Sequence, residues 1–282
     1  MLKVTKFGGS SMADAGQYRK VRDIVLADPA RKVVVVSAAG KRNAQDHKIT
    51  DLLYLCHAHS QYGVDCDRIF DMITSRYLEI RSDLQIDVEL ESEFAALKRR
   101  LDKKAISRDE LVSRGEYFSA KLMAAFLGFR FADSAQWVFF NNDGSVNSEK
   151  SYAALQQISG GEPVVIPGFY GVMPDGNIRT FSRGGSDITG ALAAAALDAD
   201  LYENWTDVDG VYSRDPARFR DAVLYEKMSF SDMKRLSGAG AAVLHPDSLL
   251  PVMEEGIPVC VKNTFRPDAK GTRIYAFEGA KE

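Results

Sequence analysis

Residues 181–216 read FSRGGSDITGALAAAALDADLYENWTDVDGVYSRDP, and the reading of this stretch decides the fold class. A glycine-rich turn flanked by Arg183 and Asp187 opens an alanine-rich helix; an apolar strand follows at Leu201–Trp205, and a polar loop carrying Thr206 and Asp207 leaves it. Turn, helix, strand and loop in that order make one unit of an alternating α/β protein. A second glycine pair stands far upstream in VTKFGGSS, Val4–Ser11, where Lys6 precedes Gly8 and Gly9 at the end of the first predicted strand. Two anion cradles so distant in sequence imply two lobes closing on one site, suited to gripping polyphosphate and transferring a phosphoryl group.

Outward from these segments, strand-like runs occur at Leu2–Phe7, Lys32–Ser37, Trp137–Phe140, Pro163–Phe169, Leu201–Trp205 and Ile257–Lys262. Several lack alternation, as strands buried on both faces of a parallel sheet do. Helical patterns lie between them at Gly16–Leu26, Ser119–Leu127 and Asp187–Leu197, so an α/β sandwich is expected. Asp46–Gly128 is almost wholly helical and reads as a lid or a dimer face, while Pro174–Asn177 predicts a tight hairpin turn.

The 36 basic and 39 acidic residues give a net charge of -3, which offers no general attraction to nucleic acid or an anionic membrane. No apolar run approaches the roughly 20 residues of a bilayer span, and no signal-peptide core opens the chain, so a cytoplasmic enzyme is expected. Cys56, Cys66 and Cys260 lack metal-ligand spacing, no protein-made metal site is expected, and His57 and His59 diverge on a predicted helix surface.

Each polar segment has a chemical reading beside a plainer one. In Lys6–Ser11 the glycines let backbone N–H groups approach phosphate oxygens while the lysine neutralises charge; an ordinary strand-to-helix turn is the alternative. VVVVSAAGK, Val33–Lys41, ends in Gly-Lys but has Val35 where a P-loop needs its first glycine, so Ser37–Gly40 is read as a ligand-presenting loop at a strand's carboxyl end. Thr50-Asp51 is chiefly a helix-capping signal and secondarily a substrate contact. Glu116, in Ser113-Arg114-Gly115-Glu116, either sits at the positive end of a helix from Tyr117 or recognises a substrate ammonium. Arg183 matches a carboxylate with its planar fork; Asp187 caps a helix or aims Lys6. Tyr212 offers an aromatic face to a nucleotide base, with Arg214 or Arg218 reaching phosphate.

With these segments in this order, the chain resembles the aspartate kinases of the amino acid kinase superfamily, over Val4 to about Ile274. KFGGSS, SRGE, SRGGSD, WTDVDGVYSRDP and GAAVLHPDSLLPVMEEGIPVCVKNTFRPDAKGT carry the resemblance. It implies a three-layer α/β/α sandwich with a mainly parallel sheet, similar to carbamate kinase. It also implies transfer from ATP, with Mg2+, to the side-chain carboxylate of L-aspartate, giving 4-phospho-L-aspartate for lysine and threonine biosynthesis. By matching motif, Lys6 is the transition-state cation and Asp187 its organiser. Gly8, Gly9 and Ser10 cradle phosphate; Ser37, Thr50, Glu116, Arg183 and Ser186 surround aspartate; Thr206, Asp207, Tyr212, Arg214 and Arg218 serve the nucleotide. An amino-acid lobe over about 1–180, with its helical insertion at 46–128, a nucleotide lobe over about 181–282 and a homodimer are also implied.

Two departures accompany the resemblance. Ala242 stands where many members place a nucleotide-contacting lysine, leaving Arg214, Arg218 or Lys262 to supply the cation. The sequence ends at Glu282 without the pair of ACT domains general in the family, so no internal feedback sensor is expected, or regulation by a separate subunit. The alternatives are a kinase of another acidic amino acid, such as acetylglutamate, and a catalytically silent nucleotide-binding regulator.

Overall fold

The computed structural model describes residues 1–182, 184–214, 216, 218–238 and 244–276. Strand β1 (Lys3–Phe7) passes through a 3-10 turn into helix α1 (Ala15–Leu26) and strand β2 (Arg31–Val36). Helices α2 (Ile49–Tyr62), α3 (Asp67–Leu84), α4 (Glu91–Asp102) and α5 (Arg108–Leu127) follow, then β3 (Arg130–Phe131), α6 (Ser148–Ser159), β4 (Val164–Pro167) and the β5 (Tyr170–Val172) and β6 (Ile178–Thr180) hairpin. The remainder comprises α7 (Gly185–Ala196), β7 (Leu201–Thr206), β8 (Lys227–Ser229), α8 (Phe230–Gly238), α9 (Leu250–Glu254), β9 (Val259–Asn263) and β10 (Thr272–Tyr275).

One eight-stranded sheet runs in the order β3-β4-β2-β1-β7-β9-β10-β8. It is parallel from β3 to β9, and β10 turns antiparallel to β9. Period-2 geometry sends Phe7, Val34, Val36 and Trp205 to a core shared with α1 to α5. Val4, Val33, Val35 and Tyr202 go to the opposite core, packed against the alanines of α7 and residues of α6 and α9. Helices thus cover both faces, the arrangement that the continuous valine run of β2 demands. Lys6 shares Val4's parity and points to the α7 face.

Several local expectations are corrected. Trp137–Phe140 is not a strand of the sheet: a 3-10 turn at Ser134–Gln136 precedes it, and only isolated bridges from Phe139 to Val172 and Phe140 to Val146 join it to other strands. Its apolar residues fill the α7-side core instead. Thr50 is not the cap of α2, because the Ile49 N–H is satisfied by the Ala39 carbonyl at 3.0 Å and helix begins there, with Lys48 in the cap position. Helix α5 does not start at Tyr117. Ser107 caps it, its hydroxyl accepting from Glu110 N at 3.1 Å, so Glu116 lies more than two turns inside. Gly184, at φ +56°, takes the cap position of α7, which leaves the Asp187 carboxylate available to other partners.

Arg76 of α3 fastens the helical insertion to the sheet. Its buried guanidinium donates through Nη1 to Gly40 O at 3.0 Å and Ala13 O at 3.3 Å, and through Nη2 to the two Asp46 oxygens at 2.7 and 2.6 Å. Asp46 keeps Arg42 as a second partner, Nε to Oδ2 at 3.0 Å, so removing Arg76 chiefly deprives the Gly40 and Ala13 carbonyls of their buried donor. Arg76→Ala is therefore expected to lower the unfolding free energy in urea by about 1–3 kcal/mol. A loss below about 1 kcal/mol, the range of an exposed pair, would contradict this account.

Candidate active site

The carboxyl ends of β1, β2 and β7 converge at the point where the chain leaves β1 for β2 on one side and reaches β7 on the other. Open α/β sheets bind ligands at such crevices. Lys6 and Asp187 meet there, Nζ to Oδ1 at 2.6 Å, although they lie far apart in the sequence. Neither is well solvated, with side-chain exposures of 10% and 15%. Asn204, the parallel-sheet partner of Lys6, donates to the same Asp187 oxygen at 2.7 Å, and Tyr202 OH donates to the Asp187 carbonyl at 3.1 Å.

Glycines let the surrounding backbones close in. The Gly8 N–H is held by Trp205 O at 3.1 Å, and a Cβ at Gly8 would stand only 3.7 Å from Lys6 Nζ, so a side chain there would project over the ammonium. A Cβ on Gly40 would come within 2.6 Å of the Gly9 backbone, and Gly40 N donates to Gly9 O at 2.8 Å. The glycine turn after β1 and the Ser37–Gly40 loop after β2 are thus one joined surface, with Ser10 and Ser37 half-buried on it. Ser11 Oγ meets Thr264 Oγ1 at 2.8 Å, tying that surface to the loop after β9.

Glu116 approaches the same surface from α5. A Cβ at Gly115 would be 2.7 Å from Ala38 Cβ, so this helix presses directly on the β2 loop. The Glu116 side chain is buried, and its Oε2 has no hydrogen-bond partner. Burial pushes its pKa from the usual 4.5 up to about 8, opposed in part by backbone amides at Ala38 and Glu116 and by the Arg114 charge. Thr50 is half-buried near the start of α2, and Ser186 is buried against the β4 end, where a Cβ on Gly168 would come within 2.6 Å of it. Arg183 lies outside the described residues, as do Asp215 and Ala242.

On the β7 side, Thr206 Oγ1 bonds to Asp207 Oδ1 at 3.2 Å, and Thr206 O accepts from Thr264 N at 2.9 Å. Tyr212 OH is anchored on Asp209 at 3.2 Å. Asp209 also receives Asn263 Nδ2 and Arg266 Nε, each at 2.8 Å, so it locks the β7 and β9 loops together. Arg214 is exposed beside Asp221 at 3.5 Å, and Arg218 is exposed. Lys262 Nζ lies 5.0 Å over the Trp205 ring, on the face of the sheet opposite Lys6. Among the described residues no three His, Cys, Asp or Glu side chains are grouped to hold a metal.

Sequence reasoning passed over Asn204, Asp209 and Arg76. Asp209 and Arg76 carry no local signal, whereas Asn204 has one: a polar residue inside an apolar strand, two positions from Tyr202 on a face otherwise given to core.

The sequence profile described as the amino acid kinase family matches residues 1–263. The chain belongs to that family. It is 38% identical over 98% of its length to aspartokinase 3 of Bacillus subtilis, and covers 64% of that protein. The crystal structure of Clostridium acetobutylicum aspartate kinase superposes on the whole chain with TM-score 0.92 and 42% identity, again with 64% of that protein covered. Aspartokinase III of E. coli, solved with aspartate and ADP, matches 98% of the chain at TM-score 0.84 and 28% identity, with 64% of its own length covered. The present chain therefore spans somewhat under two thirds of the length of these relatives.

Glu116 makes the folded state pH-sensitive. Because its carboxyl titrates near 8 when folded and near 4.5 when exposed, the folded chain retains a proton that the unfolded chain has lost between those values. Stability from this group falls as pH rises through that window, by on the order of a few kcal/mol. Glu116→Gln should flatten the pH dependence of the melting temperature between pH 5 and 8 and leave the variant more stable than the parent at pH 8. Parallel pH profiles of the two proteins would contradict the assignment.

Proposed function

We propose that this chain is the catalytic unit of an aspartate kinase, transferring the γ-phosphoryl group of ATP to the side-chain carboxylate of L-aspartate to give 4-phospho-L-aspartate and ADP. The observation that carries this reading is Glu116: a buried carboxylate with an unpartnered oxygen behind the loops on which Lys6 and Asp187 converge. A free amino acid brings an ammonium that would hold Glu116 ionised and supply the missing partner. An N-acylated acid has no such charge, which disfavours the acetylglutamate-like alternative. Ser37, Thr50, Ser186 and Arg183 are assigned to the rest of the amino acid, with the fork of Arg183 suited to its α-carboxylate.

The acceptor carboxylate is already ionised at neutral pH, so the reaction needs no general base. Positioning and charge stabilisation are what the protein must supply. Lys6, held by Asp187 and uncovered by Gly8, would meet the negative oxygens of the phosphoryl group in flight, while the Gly9 and Ser10 backbone would cradle phosphate and Gly8, its own N–H held by Trp205 O, would leave the approach clear of a side chain. Thr206, Asp207 and the anchored Tyr212 would receive the nucleotide, with exposed Arg214 and Arg218 able to turn towards its phosphates. Mg2+ is expected to enter with ATP, held chiefly by phosphate oxygens and water. The amino-acid and nucleotide lobes would divide near residue 180. No helix among the described residues is long and apolar enough to cross a membrane; action on soluble metabolites suits the cytoplasm. A homodimer through the insertion would cover Tyr54, Leu55, Tyr62 and Met72, which are exposed on α2 and α3.

A coupled ADP-release assay across aspartate, glutamate and acetylglutamate tests the reading, with turnover expected on aspartate alone. Lys6→Met should lower kcat at least about 100-fold with little change in KM for ATP. Glu116→Gln should raise KM for aspartate by about 10- to 100-fold. Turnover of acetylglutamate without turnover of aspartate would overturn the proposal.

A further inference from the structure

Asn204 is fully buried in β7, directly beside Lys6 in the parallel register of β1 and β7. Lys6 and Asn204 project to the same face, towards the first turn of α7. There Asn204 Nδ2 donates to Asp187 Oδ1 at 2.7 Å, the same oxygen that receives Lys6 Nζ at 2.6 Å. The orientation of the amide follows from chemistry, since a carboxylate oxygen accepts and only the nitrogen end can donate to it. The other end of the amide is the telling one: Asn204 Oδ1 is buried and has no hydrogen-bond partner among the described residues. Buried carbonyl oxygens are rarely left so, and an orphan beside a reactive pair calls for a reason.

Lys6 supplies one. Its ammonium carries three N–H donors, of which Asp187 takes one, and its neighbour across the register holds the vacant acceptor. Tyr202 steadies the arrangement from below, receiving a 3.3 Å contact from Asn204 Nδ2 and donating to the Asp187 carbonyl at 3.1 Å. Gly190 makes room for that hydroxyl, since a Cβ there would lie 2.5 Å from it.

We propose that Asn204 is a positioning residue that makes the Lys6–Asp187 pair a triad. Its Nδ2 fixes the Asp187 carboxylate so that Oδ1 faces Lys6, and its own Oδ1, unpartnered in the resting structure, takes up a second ammonium hydrogen when Lys6 turns to direct the third at the transferring phosphoryl group. Asn204 touches neither substrate nor nucleotide and acts through Lys6 and Asp187. The inference rests on the reading of those two residues as the catalytic pair of an amino acid kinase.

Two near-isosteric variants test it. Asn204→Leu keeps the branching at Cγ and removes the amide's hydrogen bonds; Asn204→Asp keeps the shape and sets a second carboxylate against Asp187. For Asn204→Leu, kcat should fall about tenfold or more, with KM for aspartate and ATP within about twofold. For Asn204→Asp, the fall in kcat should be larger than for Asn204→Leu. A purely space-filling role predicts the reverse order, because aspartate matches asparagine in shape. Melting temperatures of both variants separate loss of fold from loss of positioning. A crystal structure of Asn204→Leu gives a readout independent of turnover: the Asp187 carboxylate should rotate off Lys6. Values of kcat within about twofold of the parent for both variants, losses confined to KM, or an Asp187 carboxylate unmoved in that crystal structure would overturn the proposal. If the parent itself does not phosphorylate aspartate, the functional reading falls, while the crystal structure still decides the part assigned to Asn204.

Discussion

The contact between Lys6 and Asp187 organises the crevice, and it exists only because a strand end and a helix start are brought together by the sheet. β1 is the central strand, and its register against β7 puts Lys6 on the α7 face at the last turn before the chain leaves the sheet. An ammonium buried to this degree needs a carboxylate, and Asp187, in the first turn of α7, also gains from the positive end of that helix. Because Gly184 occupies the cap position, the Asp187 side chain is not consumed in capping. The cation is thereby fixed in direction, as the proposed phosphoryl transfer would ask of a protein group.

Around this pair the backbone approaches itself more closely than side chains allow. Gly9 and Gly40 touch, Gly115 brings α5 onto Ala38, and Gly168 admits Ser186. Each contact joins a different element to the crevice, so the turn after β1, the loop after β2, the insertion and the start of α7 form one wall. Asp209 does the same for the β7 and β9 loops by polar means, gathering Tyr212, Asn263 and Arg266. The wall of the crevice is therefore stiff, which would suit the proposed phosphoryl transfer, whose catalysis rests on position.

The helical insertion reaches the site through two residues. Glu116 delivers a carboxylate whose burial leaves it short of a partner, and Arg76 binds the carbonyls of Gly40 and Ala13 on either side of the glycine turn. α2 to α5 thus do more than cover one face of the sheet: they shape the loops on which substrate recognition is proposed to depend.

The parallel sheet, the hairpin at Pro174–Asn177 and the two glycine turns were legible in the sequence, because continuous valine runs, turn residues and Gly-Gly pairs each have a local physical cause. Helix starts at Ile49 and Arg108 were misplaced, since the first depends on the distant Ala39 carbonyl and the second on a Ser107 cap that apolar periodicity does not register. Trp137–Phe140 has the composition of a strand but is used as core, a choice made by the space beneath α7. The sequence alone determined which chemical groups are available: a lysine and an aspartate beside glycines, an arginine fork, a glutamate at the edge of a helical segment. Only the tertiary structure decided that Lys6 and Asn204 meet at one oxygen of Asp187 and that one oxygen of Glu116 is left without a partner, because register, burial and pairing are properties of groups far apart in the chain.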